Sequence, residues 1–272
     1  MAGTIESITV VGAGDVGRGI ALLAARASFR VVLEDIAGQM DAALDYLRAG
    51  LDQAALARVR PERAIEDAVR EADLVIEAAP EDMETKLELF TILDKSAPPR
   101  SILASTTSAL SVTEIASITL RSERMLGMHF FPPVAETPLL EIVQGLETGE
   151  AALAAAEEVG RRMGKQTVRL KESPGFLTGR LGALMMNEAF QMLHEGLASA
   201  AGIDQAARLG LGHATGPLER ADSIGLDNLL QELERLQKAH GQKFRPSPLL
   251  VQYVKAGRTG KRSGRGVFEY RK

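Results

Sequence analysis

Between an apolar, β-branched run at residues 7–12 (Ser-Ile-Thr-Val-Val-Gly) and a helical pattern from Val16 to Ala27 lies Gly12-Ala13-Gly14-Asp15-Val16-Gly17. A short run of this kind reads as a buried parallel strand. Glycines at this spacing have separate uses. The first allows a tight turn, the second lets the backbone approach a pyrophosphate, and the third lets the helix pack on the strand with phosphate at its N-terminus. Asp35 follows a second strand, Arg30–Leu33, at about the 20-residue spacing of a ribose-binding acid. A carboxylate there accepts the adenosine 2′-hydroxyl and repels a 2′-phosphate. No arginine immediately follows it, so NAD is expected over NADP. FAD can share the fingerprint, but nothing else in the chain points to a larger flavin fold.

The same alternation continues. A helix is expected over residues 39–57, a strand over 73–79, a helix near 83–96 and a strand over 102–105. Ser111 and Glu114 have capping-box spacing. Strands at 124–131 and 139–143 are separated by a proline-rich turn, and a helix near 149–163 leads to a last strand at 165–170. Strands alternating with helices predict a Rossmann-type, doubly wound, mostly parallel α/β sheet. After Ser173-Pro174-Gly175 the strand signals nearly stop, and apolar residues such as Phe176, Leu177, Leu181, Leu184 and Met185 recur at helical spacing. The expected organisation is an NAD-binding domain over 1–173 and an all-α C-terminal domain over 174–272.

Composition excludes several chemistries. The 272 residues carry a net charge of −4, so no electrostatic footprint for nucleic acid or an anionic membrane is present. Without cysteine there are no disulfides, thiolate nucleophile or cysteine-ligated zinc. Four histidines without HxH or HExxH spacing make no metal site. No apolar stretch is long enough to span a bilayer, and no basic segment precedes a long apolar one at the N-terminus. A cytoplasmic protein is expected.

A nicotinamide cofactor moves a hydride, so the protein must handle the matching proton. His129 is the candidate acid/base, because it stands where the strand 125–131 runs out into the proline-rich loop. Glu141 stands on the following strand, and a strand-turn-strand could return its carboxylate to the imidazole. Spacing alone fits equally well a core histidine bonded to a carbonyl, with Glu141 a surface acid. His194, His213 and His240 read as structural or solvated, and Met185-Met186 as core packing. The stretch from Gly257 to Ser263 has the wrong glycine spacing for a phosphate loop.

Taken together, these segments resemble the L-3-hydroxyacyl-CoA dehydrogenase family, including bacterial 3-hydroxybutyryl-CoA dehydrogenases. The resemblance runs over nearly the whole chain. It is carried by the glycine loop, by residues 73–79 (Asp-Leu-Val-Ile-Glu-Ala-Ala) and by 102–111 (Ile-Leu-Ala-Ser-Thr-Thr-Ser-Ala-Leu-Ser). It is carried further by 127–133 (Gly-Met-His-Phe-Phe-Pro-Pro), Ser173–Phe176, 216–222 and the tail from Gly260 to Tyr270. The resemblance implies that His129 is the general base with Glu141 as partner, and that Ser108 hydrogen-bonds the reacting oxygen. It also implies that Glu81 and Lys86 border the cofactor, that the substrate is a 3-hydroxyacyl thioester on CoA or a carrier protein, and that the helical domain makes a homodimer.

Four positions depart from the family pattern. Thr106 and Pro132 stand where the family usually has asparagine, and Gly179 replaces the asparagine before Arg180. Arg262 replaces a tail lysine that reaches the cofactor, keeping the charge. Losing one oxyanion-type donor costs on the order of 10²–10³ in turnover. Asn187, roughly 12 Å further along the same helix, is no replacement. The stretch between Asp35 and Asp73 is shorter than the family's CoA-covering arm and contains arginines but no lysine. A carrier-bound or free hydroxy acid, or a non-catalytic NAD-binding homologue, is therefore the alternative. The β-hydroxyacid dehydrogenases related to phosphogluconate oxidation need a lysine in the long helix after the boundary. No lysine occurs between Glu172 and Gln237.

Overall fold

The computed structural model describes residues 4–35 and 38–270. Its elements begin β1 (Ser7–Val11), α1 (Asp15–Arg26), β2 (Arg30–Glu34), α2 (Met40–Gly50), α3 (Gln53–Leu56), β3 (Val59–Glu62) and α4 (Ile65–Val69). They continue with β4 (Leu74–Glu77), α5 (Met83–Ser96), β5 (Ile102–Ser105), α6 (Val112–Ala116), β6 (Met125–Phe130), β7 (Leu139–Gln144), α7 (Glu150–Arg162) and β8 (Gln166–Lys171). Five further helices are α8 (Thr178–His194), α9 (Ala200–Leu211), α10 (Pro217–Ile224), α11 (Leu226–His240) and α12 (Pro248–Lys255). Two compact units result, residues 1–173 and 174–272. Among the described residues no helix is long and apolar enough to cross a membrane.

In the first unit eight strands form one sheet in the order β3-β2-β1-β4-β5-β6-β7-β8. Every neighbouring pair is parallel except β6 and β7, which are antiparallel. The exception follows from chain length: a parallel crossover needs a dozen or more residues, and the link from Phe130 to Leu139 is shorter. Side chains alternate across the sheet, so adjacent residues enter different cores. Val10, Leu74, Ile76 and Ala104 join a cluster with Ile20, Leu33 and Leu153, whereas Val11, Val75 and Leu103 join Phe90, Leu93 and Ile115 on the other face.

Two local expectations are corrected, and one strand was not expected. The helix expected over 39–57 breaks after Gly50, because Asp52 caps α3 by accepting from the Ala55 N–H at 2.7 Å. β3, an edge strand of sequence Val-Arg-Pro-Glu, has no apolar alternation to announce it. Ser111 does cap α6 through the Glu114 N–H (3.0 Å), but the acid serving that terminus is Glu172, which accepts from the Thr113 N–H (2.6 Å) and the Ser111 hydroxyl (2.6 Å).

The second unit is helical. Ala183, Met186 and Phe190 on α8 and Leu229, Leu233 and Leu236 on α11 recur every three or four residues and share one core with Leu218, Phe244 and Leu250. Buried Asp204 accepts from the Leu218 and Glu219 N–H groups and caps α10. Asp222 accepts from Val267 N–H, Phe268 N–H and the Tyr270 hydroxyl, tying down the tail. Burial and that nearby carboxylate raise the Tyr270 phenol above its ordinary value.

Candidate active site

The glycine loop is shaped as its sequence requires. Gly12 has φ +101°, and a Cβ there would lie 2.7 Å from the Ala78 carbonyl oxygen. A Cβ on Gly17 would lie 1.8 Å from the Gly12 carbonyl oxygen, so α1 can approach β1 only with glycine at that position. Gly14 is the N-cap of α1 and contributes no side chain to its first turn. A helix end built this way offers N–H groups and a positive dipole to an anion. Asp35, almost fully buried, accepts from Ala13 N–H (3.2 Å) and Gln39 N–H (2.8 Å), which fixes its carboxylate beside the loop. Gly12, Gly14, Asp15, Val16 and Asp35 line a cleft of about 580 Å³ whose remaining wall includes Ala78–Pro80, Leu89 and Ile92. A helix N-terminus, a fixed carboxylate and an apolar wall in one cleft fit a dinucleotide.

His129 on β6 and Glu141 on β7 are register partners across the antiparallel pair. Directly opposite residues on such strands have neighbouring Cβ atoms on one face. Here Nδ1 of His129 lies 2.8 Å from Oε2 of Glu141, which is wholly buried. Phe131 packs against the imidazole at 4.3 Å between ring centroids. The loop after β6 is stapled from behind by buried Lys165, whose ammonium donates to the carbonyls of Val134 and Thr137. Burial pushes that lysine below its ordinary value.

Ser108 lies in the loop that follows β5. Glu81 organises this loop, accepting from the Thr107 hydroxyl (2.7 Å), Ser108 N–H (2.9 Å), the Ser108 hydroxyl (3.3 Å) and Ala109 N–H (3.0 Å). Lys86 is fully enclosed, and neither it nor Glu81 is among the residues that line the cleft. It donates to Glu77 at 2.6 Å and lies 3.8 Å from Glu81. Glu77 in turn accepts from the Ser105 hydroxyl (2.6 Å) and Ala79 N–H (2.7 Å). A buried polar network thus joins the ends of β4 and β5 to α5. The sequence reading missed Glu77, Ser105 and Glu172. The available signal for Glu77 was an acid closing an otherwise apolar strand.

In the second unit Arg262 pairs with Asp227 on α11 at 2.5 Å. Gly179 lies in the first turn of α8, where an added Cβ meets nothing nearer than Glu232 Oε1 at 3.7 Å. Asn187 is structurally committed: its amide donates to the Arg245 carbonyl and accepts from Ser247 N–H, each at 2.9 Å.

Comparison with known proteins bears on both units. A family model described as 3-hydroxyacyl-CoA dehydrogenase, NAD binding domain, matches residues 7–173, and its C-terminal domain counterpart matches 175–270. A probable 3-hydroxybutyryl-CoA dehydrogenase of Bacillus subtilis is 41% identical, covering 98% of each chain. The 3-hydroxybutyryl-CoA dehydrogenase of Bradyrhizobium diazoefficiens is 38% identical, covering 100% of this chain and 97% of its own. The crystal structure of (S)-3-hydroxybutyryl-CoA dehydrogenase from Ralstonia eutropha superimposes with a TM-score of 0.92 at 38% identity, covering 99% of this chain and 100% of that one.

Proposed function

This chain belongs to the 3-hydroxyacyl-CoA dehydrogenase family, and we propose that it interconverts 3-hydroxybutyryl-CoA and acetoacetyl-CoA with His129 as acid/base. The observation that carries the reading is the 2.8 Å contact between His129 Nδ1 and Glu141. The carboxylate holds the N–H on Nδ1 and steadies the imidazolium once formed, leaving Nε2 to take the proton of the substrate hydroxyl. When bound, NAD supplies the hydride acceptor for oxidation, and NADH the donor for reduction. Ser105 and Gly127 are register partners on the parallel strands β5 and β6, so Ser108 and His129 emerge at the same carboxyl edge. A serine hydroxyl both donates and accepts. While Ser108 donates to Glu81 its lone pairs can take the substrate hydroxyl, and after rotation it can donate to the ketone oxygen. Glu81 thus positions Ser108, and Lys86 ties Glu77 to Glu81.

The second unit supports self-association, since Leu181, Leu209 and Leu211 are strongly exposed on it. A homodimer is the assembly we infer, and its mass in solution by light scattering tests this. The absence of cysteine fits work in the reducing cytoplasm. Activity is tested by following NADH absorbance while acetoacetyl-CoA is offered to the pure protein. Wild-type oxidation no faster than that of His129→Ala would sink the proposal. Parallel assays with acetoacetyl-carrier protein and free acetoacetate identify the carrier; turnover with either of these but not the CoA ester would replace CoA.

A further inference from the structure

One acid in the dinucleotide cleft, Glu34, lies apart from the glycine loop and from Asp35's hydrogen bonds. Glu34 ends β2, one residue before Asp35, and its register partners are Val11 on β1 and Glu62 on β3. It is 3% exposed, yet among the described residues its carboxyl has no hydrogen-bond partner. It lines the cleft together with the apolar side chains of Val11, Ile65, Leu89 and Ile92. Buried polar groups are normally paired. One left open toward a ligand cleft, on the strand whose next residue takes the ribose, points to a partner that arrives with the ligand.

The next piece of the dinucleotide after the ribose is adenine. Its edge places an amino donor beside a ring-nitrogen acceptor. A neutral carboxylic acid is the complement: its carbonyl accepts from the amino group while its O–H donates to the ring nitrogen. A carboxylate has acceptors only and would face the ring lone pair. The surroundings of Glu34 favour the neutral form. Burial, then the charges of Asp35, Glu62 and Glu66, push its carboxyl up to about 7. Glu62 is bound by Arg60 and by two backbone N–H groups and stays below its ordinary value. Across the cleft α5 contributes Glu88, and β1 contributes only Val11. The charges that act on Glu34, those of Asp35, Glu62 and Glu66, are all negative, as is every other charged side chain among the described residues lining the cleft. A base seated on it would remove more water and favour protonation further.

We propose that Glu34, in its protonated form, reads the adenine edge of NAD by a two-point hydrogen bond and so couples cofactor binding to proton uptake. The inference rests on the NAD-binding reading of the cleft. It is tested by measuring dissociation constants of NADH and of its 1,N6-etheno analogue, which lacks the free amino donor, between pH 6 and 9. Wild type, E34Q and E34L are compared. In wild type the NADH constant should rise with pH above about 7, approaching tenfold per unit. E34Q carries an amide with the same donor and acceptor, so it should bind NADH with a flatter profile and keep the preference over the analogue. E34L should bind NADH roughly tenfold or more weakly and lose that preference. The leucine keeps the volume, so a purely steric penalty on the analogue would survive it. Identical pH profiles in wild type and E34Q, or an undiminished preference in E34L, overturn the assignment. If E34L does not fold, the E34Q profile decides alone. A wild type that binds no NADH at any pH would instead overturn the cofactor reading itself.

Discussion

His129 and Glu141 face each other across the one antiparallel pair of an otherwise parallel sheet, with Nδ1 and Oε2 2.8 Å apart. The pairing is backbone-determined, because the register of β6 against β7 places the carboxylate before any side chain adjusts. His129→Ala should lower kcat by about 10²–10⁴ with NADH affinity unchanged. Glu141→Gln should also lower kcat while leaving the fold intact, since its amide can offer Nδ1 a donor and favour the wrong tautomer. Equal kcat in wild type and Glu141→Gln would remove Glu141 from the mechanism.

Lys86 and Glu77 are both fully enclosed and 2.6 Å apart. Removing one partner of such a pair strands the other charge and typically costs about 3–5 kcal/mol, whereas replacing both by apolar groups costs far less. Lys86→Met should therefore lower the urea midpoint of the first unit strongly, and Lys86→Met with Glu77→Leu should be less unstable than the sum of its singles, the remaining loss coming from the Ser105 hydroxyl and Ala79 N–H that Glu77 accepts from. A double variant as unstable as the sum of its singles would show that the pair is not what sets the penalty.

Much of this architecture was legible because its signals are local. The glycine loop, Asp35 and the apolar runs of β1, β4 and β5 each carry a short-range pattern. The antiparallel return of β7 was readable from a link too short for a crossover. What stayed hidden has physical reasons. Val59–Glu62 is an edge strand of charged residues and proline, so it lacks the apolar period. The five-residue α4 is too short to show helical periodicity. Glu77 and Glu172 act through partners 28 and 61 residues away in sequence, Ser105 and Ser111, and only the folded unit brings them together.

The two glycines at the start of α1 should differ in kind. A Cβ at Gly17 meets the Gly12 carbonyl at 1.8 Å, while a Cβ at Gly14 meets only the flexible end of Gln39 at 3.3 Å. Gly17→Ala should destabilise the first unit by about 1–3 kcal/mol through forced separation of loop and helix. Gly14→Ala should leave the melting curve nearly unchanged and weaken NADH binding, because its methyl stands at the phosphate end of the cleft. Thermal melting and NADH titration of both variants check this, and equal melting temperatures for the two would contradict it.

Gly179 has space around it, with Glu232 Oε1 as the nearest atom to an added Cβ, at 3.7 Å. Asparagine should fit without loss of stability and should raise kcat/KM for acetoacetyl-CoA, by up to about 10² if the missing amide limits turnover. Steady-state kinetics of Gly179→Asn decide the matter. Unchanged or lower activity would mean that the acyl site has been rebuilt around the glycine.

Glu34 also predicts a pH dependence of stability in the cofactor-free protein. Its ordinary value is 4.5, and in the folded chain it is pushed up to about 7. Between those values the folded state holds a proton that the unfolded state has released, so this residue's contribution to stability falls as pH rises from about 4.5 to about 7 and then levels off. A glutamine amide in its place would not ionise. The stability of Glu34→Gln relative to wild type should thus be smallest near pH 4.5, climb through neutrality and be greatest at about pH 8. Any fixed cost of burying the amide shifts the whole difference without changing its slope. Urea titrations of both proteins at several pH values measure that slope, and a difference that does not vary with pH would mean that Glu34 ionises as readily when folded as when unfolded.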